Sequence, residues 1–304
     1  MKVVYGHTDS IYVDCESVEK GKEAVEHINK EVQKLFPNIL GLDEHPVQLE
    51  FEKYFKTLGV GVTKNRNAGL ITWKDGEFLE EDEFSMTGFT AKRQSITKLG
   101  KETQTQVLNM WVNACSEEEV TDYLHGLYNA VLQGKIPVSD VLTRTRYKES
   151  RFKVICNNCR KNGWKSNFTL HELMERKQMG RECCDKPDYV TSEGKRPTIG
   201  SGIEGVLYHD TISDTPITDS YLYFRIDPHS PATYTHPFSG RSTRPSYFSF
   251  ITEKELSESW HEPDWRHYAE SVLKKATPIY HAMEWDLQAI KKDRNQSALG
   301  EWLV

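Results

Sequence analysis

Two groups of residues in this chain have types and spacings that could do chemistry. The first lies in VVYGHTDSIYV, residues 3–13, where His7 and Asp9 sit between two β-prone runs and Gly6 to Ser10 offers small and polar residues for a bend. A carboxylate at a hairpin tip is held by two strands, so it meets a cation with little ordering left to do. The same residues also suit an ordinary polar turn. The second group is CNNCRKNGWKSNFTLHELMERKQMGRECC, which places Cys156 and Cys159 in a CxxC turn and brings in Cys183 and Cys184 after a short amphipathic helix. A CxxC turn is the usual way of aiming two thiolates at one zinc ion. Adjacent cysteines are less usual ligands than a second CxxC, so His171 is a candidate in place of one of them. Zinc would stabilise a basic lobe too small to build its own core. Unliganded thiols in a small reduced core are the other reading.

The elements that must position these groups follow from apolar periodicity. After the hairpin, Val25, Ile28, Val32, Leu35 and Phe36 recur at helical spacing until Pro37 and Asn38 stop them. Residues 47–73 are rich in β-branched and aromatic residues with two short polar breaks, which predicts two or three antiparallel strands. From about residue 97 the pattern is helical, and Val120, Tyr123, Leu124, Leu127, Val131 and Leu132 mark one apolar stripe before Pro137. Residues 150–200 read as an insertion or small subdomain, YLYFRI at 221–226 as a strand, and 265–291 as a long helix kinked or divided by Pro278.

Composition bounds the function classes. At 304 residues, 37% hydrophobic and 11% aromatic, the chain suits about two folded domains. It has no apolar run long enough to span a membrane and no signal-peptide pattern, so it reads as intracellular, a cytoplasmic protein without a membrane partner. Six cysteines, four of them within 156–184 and the others at Cys15 and Cys115, do not form a secreted disulfide framework. The net charge is -6, yet residues 151–200 carry 11 Lys and Arg against 6 Asp and Glu. Such a segment could follow a phosphate backbone, as could a solvated loop of mixed charge give the same count.

YGHTDSIYV resembles the motif C hairpin of family B DNA polymerases, usually YGDTDS, and LEFEKYFKTLGVGVTKNRNAG resembles the segment after it, LExE and then KKRYxG. KETQTQVLNMWV and YLHGLYNAVLQGKIPVSDVLTRT are similar to the first thumb helices of archaeal members, and LGEWLV to their C-terminal end. The resemblance implies an α+β fold: a β-hairpin and antiparallel palm portion with a helix, followed by a mainly helical thumb carrying a Cys-rich insertion. Residues 1–84 would be the C-terminal part of the palm and 85–304 the thumb, with 151–192 the basic, possibly zinc-binding insertion. The exonuclease, fingers and motif A aspartate of the family are not among these residues. The chain is therefore expected to be the C-terminal subunit of a split polymerase, inactive without an N-terminal chain that carries them.

The same resemblance assigns roles. Two magnesium ions serve nucleotidyl transfer from deoxynucleoside triphosphates, and Asp9, matching the second motif C aspartate, would share one of them with motif A. His7 stands where the family has the first aspartate. A neutral imidazole is a poor magnesium ligand, so the alternative is a catalytically silent, DNA-binding subunit with a structural role. Lys64, Arg66 and Gly69 match KKRYxG and, with Thr8, are expected at the primer-template duplex, while Asn65 and Asn67 depart from the pattern. Arg160, Lys161 and Lys165 could extend that contact. Glu50 and Glu52 are weaker candidates for outer carboxylates. A zinc-knuckle regulator that ignores the hairpin is a further class. At the end, 296–304, Gln296, Leu299, Trp302 and Leu303 resemble the sliding-clamp-binding peptide of archaeal members. One helical turn would gather Leu299, Trp302 and Leu303 into an apolar plug with the Gln296 amide behind it, although Trp302 and Leu303 could equally dock the chain end onto the thumb.

Overall fold

The computed structural model describes residues 2–7, 10–61, 65–89 and 96–292. The chain divides into two compact units, residues 1–92 with 105–120, and residues 93–104 with 121–304. The division runs through the first helix beyond residue 97. No helix among the described residues is long and apolar enough to cross a membrane.

In the first unit, β1 (Lys2–His7) and β2 (Ser10–Asp14) form the antiparallel hairpin, with Gly6 opposite Ile11 and His7 opposite Ser10. Tyr5 meets Tyr12 at 5.4 Å between ring centroids, and Tyr12 meets Phe55 at 6.0 Å. Helix α1 (Val18–Leu35) starts where the Ser17 side chain accepts a hydrogen bond from the Lys20 amide, carries Glu19 in its first turn, and ends before Pro37. Gly21 of α1 leaves room for the Phe51 ring, which packs 4.9 Å from Trp73. Strands β3 (Lys53–Val60), β4 (Asn67–Lys74) and β5 (Glu77–Thr87) make an antiparallel sheet with β4 in the middle. Ala68, Leu70, Ile71 and Trp73 of that central strand are buried. Asp75 and Gly76, at φ 53° and 101°, make the two-residue turn whose twist matches paired strands.

Two helices follow as predicted, α2 (Lys98–Val112) and α3 (Glu117–Leu132), separated by a turn in which Ala114 takes φ 57°. Gly59 of β3 admits the Trp111 ring of α2, where any Cβ would collide with it.

The second unit is less helical than predicted. Strands β6 (Thr143–Arg146), β10 (Ser220–Arg225) and β13 (Tyr247–Phe250) form an antiparallel sheet in the order β13-β10-β6. Helix α6 (Ser201–Ile212) lies on β13, with Gly205 against Ser249. A second sheet joins β7 (Lys153–Cys156) to β8 (Asn167–Thr169) and β9 (Tyr189–Val190). A two-stranded ribbon pairs β11 (Tyr234–Thr235) with β12 (Ser242–Thr243). These strands are two to six residues long, too short for alternation to stand out in the sequence.

Helix α8 (Trp265–Ala282) begins at Asp264, whose carboxylate accepts from the His267 amide and from Arg225 Nε at 2.9 Å. The single helix expected to reach 291 ends earlier, and Pro278 is not where it stops. The Trp285 amide donates to the Tyr280 carbonyl at 2.9 Å with Glu284 at φ 58°, the left-handed turn that terminates a helix. A separate 3-10 turn follows at Leu287–Lys291.

Candidate functional site

The last pair in the register of β1 and β2 is His7 with Ser10. Thr8, Asp9 and Lys64 lie outside the described residues. Arg66 is half-buried just ahead of β4, and its carbonyl accepts from the Gly61 amide at 2.8 Å. Asn65 holds φ 65°, a conformation an asparagine tolerates better than a lysine does. Gly69 has a packing role as well. It is buried in the middle of β4, opposite Leu58 and Ser85, where a Cβ would meet the Thr57 carbonyl oxygen at 2.5 Å and the Phe55 ring at 2.7 Å. Sheet packing by itself requires a glycine at this position.

A cleft of about 750 Å³ lies beside the hairpin, lined by β2, by Val25 and Ile28 of α1, and by residues 48–56 among others. Glu50 and Glu52 are exposed at its border, and Glu52 pairs with Lys53 at 2.7 Å. Val4 and Ile11 line it, and several apolar side chains of this unit are exposed. Val3, Val4 and Ile11 are exposed on the hairpin, and Leu35, Phe36, Ile39, Leu40 and Leu42 are exposed after α1, with Ile39 at 89%.

The cysteine lobe is built on β7. Phe152, Val154, Phe168, Leu170, Leu173 and Met174 are buried in it. Helix α4 (Asn157–Lys161) carries the CxxC turn, and α5 (Leu170–Gln178) starts with a reciprocal cap between Thr169 and Glu172. The sulfurs of Cys156, Cys159, Cys183 and Cys184 all lie within 4.8 Å of one another. Cys184 Sγ is 3.8 Å from Cys156 Sγ and 3.8 Å from Cys183 Sγ. The Tyr189 hydroxyl is 3.3 Å from Cys183 Sγ. Burial opposes ionisation of Cys156, but the Cys159 and Asp188 backbone and neighbouring thiols bring it down to about 7. Burial pushes Cys159 the other way, and its neighbours raise it further.

His171 is not part of this cluster. Its Nε2 donates to Asp210 Oδ2 at 2.7 Å, and its ring stacks on Phe152 at 5.9 Å, so its side chain is engaged elsewhere. Asp210 Oδ1 also accepts from His209 Nδ1 at 2.9 Å and from the Ile217 amide at 3.3 Å, while His209 Nε2 faces Glu255 Oε2 at 3.2 Å. Nothing in local spacing announced this His-Asp-His-Glu chain, which joins α5, α6 and the short α7 (Glu253–Glu258).

Of the basic candidates, Arg160 and Lys161 are exposed on α4, and Lys165 is tied to Glu172 at 2.7 Å while lying 5.5 Å over the Phe168 ring. Trp164, between Lys161 and Lys165 in sequence, is 58% exposed. The tail residues Gln296, Leu299, Trp302 and Leu303 lie outside the described residues.

Comparison with known proteins returns polymerases. A DNA polymerase of Archaeoglobus fulgidus is 25% identical over 141 residues, covering 46% of this chain and 16% of that protein. DNA polymerase 2 of Aeropyrum pernix is 25% identical over 200 residues, 65% of this chain and 21% of that protein. A DNA polymerase of guinea pig cytomegalovirus is 32% identical over 116 residues, 36% of this chain and 9% of that protein. The chain thus spans between 9% and 21% of the length of these relatives. The model of DNA polymerase family B matches residues 1–220, which take in the hairpin, the β3-β4-β5 sheet and most of the cysteine-bearing unit, and the chain belongs to that family.

Proposed function

We propose that this chain supplies the C-terminal palm, residues 1–84, and the thumb, residues 85–304, of a DNA-directed DNA polymerase whose exonuclease, fingers and motif A come from an N-terminal polymerase chain. The observation that carries the reading is the family match across residues 1–220, which takes in the β1-β2 hairpin. Magnesium, when bound, lowers the cost of forming the primer 3′ alkoxide and neutralises the departing pyrophosphate. Asp9 gives it a hard carboxylate oxygen, which suits that ion. Thr8, Lys64 and Arg66 hold the primer-template duplex through phosphates and minor-groove acceptors, so binding is tolerant of sequence. The tail from Gln296 to Leu303 tethers the enzyme to a sliding clamp and raises the local concentration of primer ends.

His7 favours a second reading, a silent subunit that binds DNA for a structural purpose, because an imidazole supplies neither the charge nor the oxygen of the family aspartate.

The exposed apolar side chains of the hairpin and of residues 35–42 support the partner. A hairpin and one helix cannot bury both faces alone. Co-expression with the N-terminal chain is expected to give a 1:1 complex burying more than about 2,000 Å². Ile39→Lys with Leu40→Lys, both on solvent in the isolated chain, should break that complex and leave the melting of this chain unchanged. A monodisperse, fully active N-terminal chain without this one contradicts the reading.

A further inference from the structure

We infer that Cys156, Cys159, Cys183 and Cys184 together hold one structural zinc ion as a closed tetrathiolate centre. The inference is independent of the polymerase reading, since it rests on the geometry of one lobe. A tetrahedron with Zn–S bonds near 2.3 Å has edges of about 3.8 Å. The two sulfur pairs around Cys184 stand 3.8 Å apart, and no pair among the four exceeds 4.8 Å. These separations are far longer than a disulfide of about 2.05 Å. They are also too tight for an iron–sulfur cluster, in which inorganic sulfide separates the irons and pushes the cysteine sulfurs well apart.

The set is complete. Four sulfurs fill the coordination of a zinc ion, and Cys156 and Cys159 are buried, so no open position remains for substrate or water. The ion would therefore fold and not catalyse. Its outer partners are already in place: the Tyr189 hydroxyl donates to Cys183 Sγ at 3.3 Å, and the Asn157 amide donates to the Asp188 carbonyl at 2.9 Å, orienting the loop that delivers the last two cysteines. That loop returns to the lobe through β9, only two residues long, so the metal supplies the closure that strand pairing does not. Four thiolates around a dication leave two negative charges, and the exposed Arg160 and Lys161 on α4, the helix that carries Cys159, lie where those charges need compensation.

The test uses the full chain, purified without chelator. Metal analysis is expected to find one zinc per chain, and a mercurial titration is expected to release it as four thiols react. Exchange with cobalt should produce the visible bands of a tetrahedral thiolate complex on the unmutated chain, a measurement that needs no variant to fold. Cys156→Ser, Cys159→Ser, Cys183→Ser and Cys184→Ser should each lower zinc occupancy at least tenfold in chelator competition. Cys15→Ser, Cys115→Ser and His171→Ala should leave one zinc bound. Less than half an equivalent of zinc in the freshly purified chain overturns the inference, as does bound iron. Loss of zinc on His171→Ala, or full retention on Cys183→Ser or Cys184→Ser, overturns the assigned ligand set.

Discussion

Replacing Asp210 by Asn removes one charge from the chain His171–Asp210–His209–Glu255 while keeping the size of the side chain. Asp210 is 11% exposed, and burial alone would raise its pKa. Hydrogen bonds from His171 and His209, with the Ile217 amide, more than offset that and hold the carboxyl at about 2. Against an ordinary aspartate near 3.9, this corresponds to about 2 kcal/mol of folding stability at neutral pH. The sign follows from the depressed value. The contribution is fully present above about pH 4 and is lost as pH falls toward 2. Asp210→Asn is thus expected to lower stability by about 2 kcal/mol at pH 7 in urea unfolding followed by circular dichroism, and the gap to the parent should close progressively below pH 4. Loss of zinc in acid affects both proteins alike and drops out of the difference. A gap that is absent at pH 7, or that persists unchanged to pH 2.5, would refute the reasoning.

Three other outcomes follow from the packing and the family match. Gly59→Ala drives a Cβ into the Trp111 ring and should cost about 1 to 3 kcal/mol by overpacking, read as a lower urea midpoint; an unchanged midpoint would mean that the ring moves aside freely. Lys64→Ala and Arg66→Ala should each weaken duplex binding by the assembled polymerase and reduce its salt slope by about one, and an unchanged slope in both shows that neither touches phosphate. Trp302→Ala with Leu303→Ala should remove about 2 to 4 kcal/mol of clamp affinity and shorten products only when clamp is present. Equal loss without clamp would assign both residues to holding the thumb together.

What the sequence made legible is local. The hairpin, the end of α1 before Pro37, the strands of 53–74 and the helices α2 and α3 all follow from periodicity and stop signals within a dozen residues. Gly69 shows where that reasoning ends. The Phe55 ring and the Thr57 carbonyl, brought over it by strand pairing, require a glycine for packing, which the motif alone did not reveal. The end of α8 was missed because the left-handed turn at Glu284 has no glycine to mark it. In the cysteine lobe the CxxC turn was plain, but the choice among Cys183, Cys184 and His171 was not. It depends on Asp210, distant in sequence, which holds the imidazole at 2.7 Å. The three antiparallel sheets of the second unit were illegible for a related reason: short strands declare themselves through partners.

Primer extension by this chain assembled with its N-terminal partner, using the parent, Asp9→Asn and His7→Asp in parallel, tests the central claim most directly. Asn keeps the shape of Asp9 and removes the charge that magnesium needs, so the account predicts extension by the parent, loss of at least a hundredfold with Asp9→Asn, and activity retained with His7→Asp. Extension unaffected by Asp9→Asn, or extension absent in the parent and present only with His7→Asp, would contradict it.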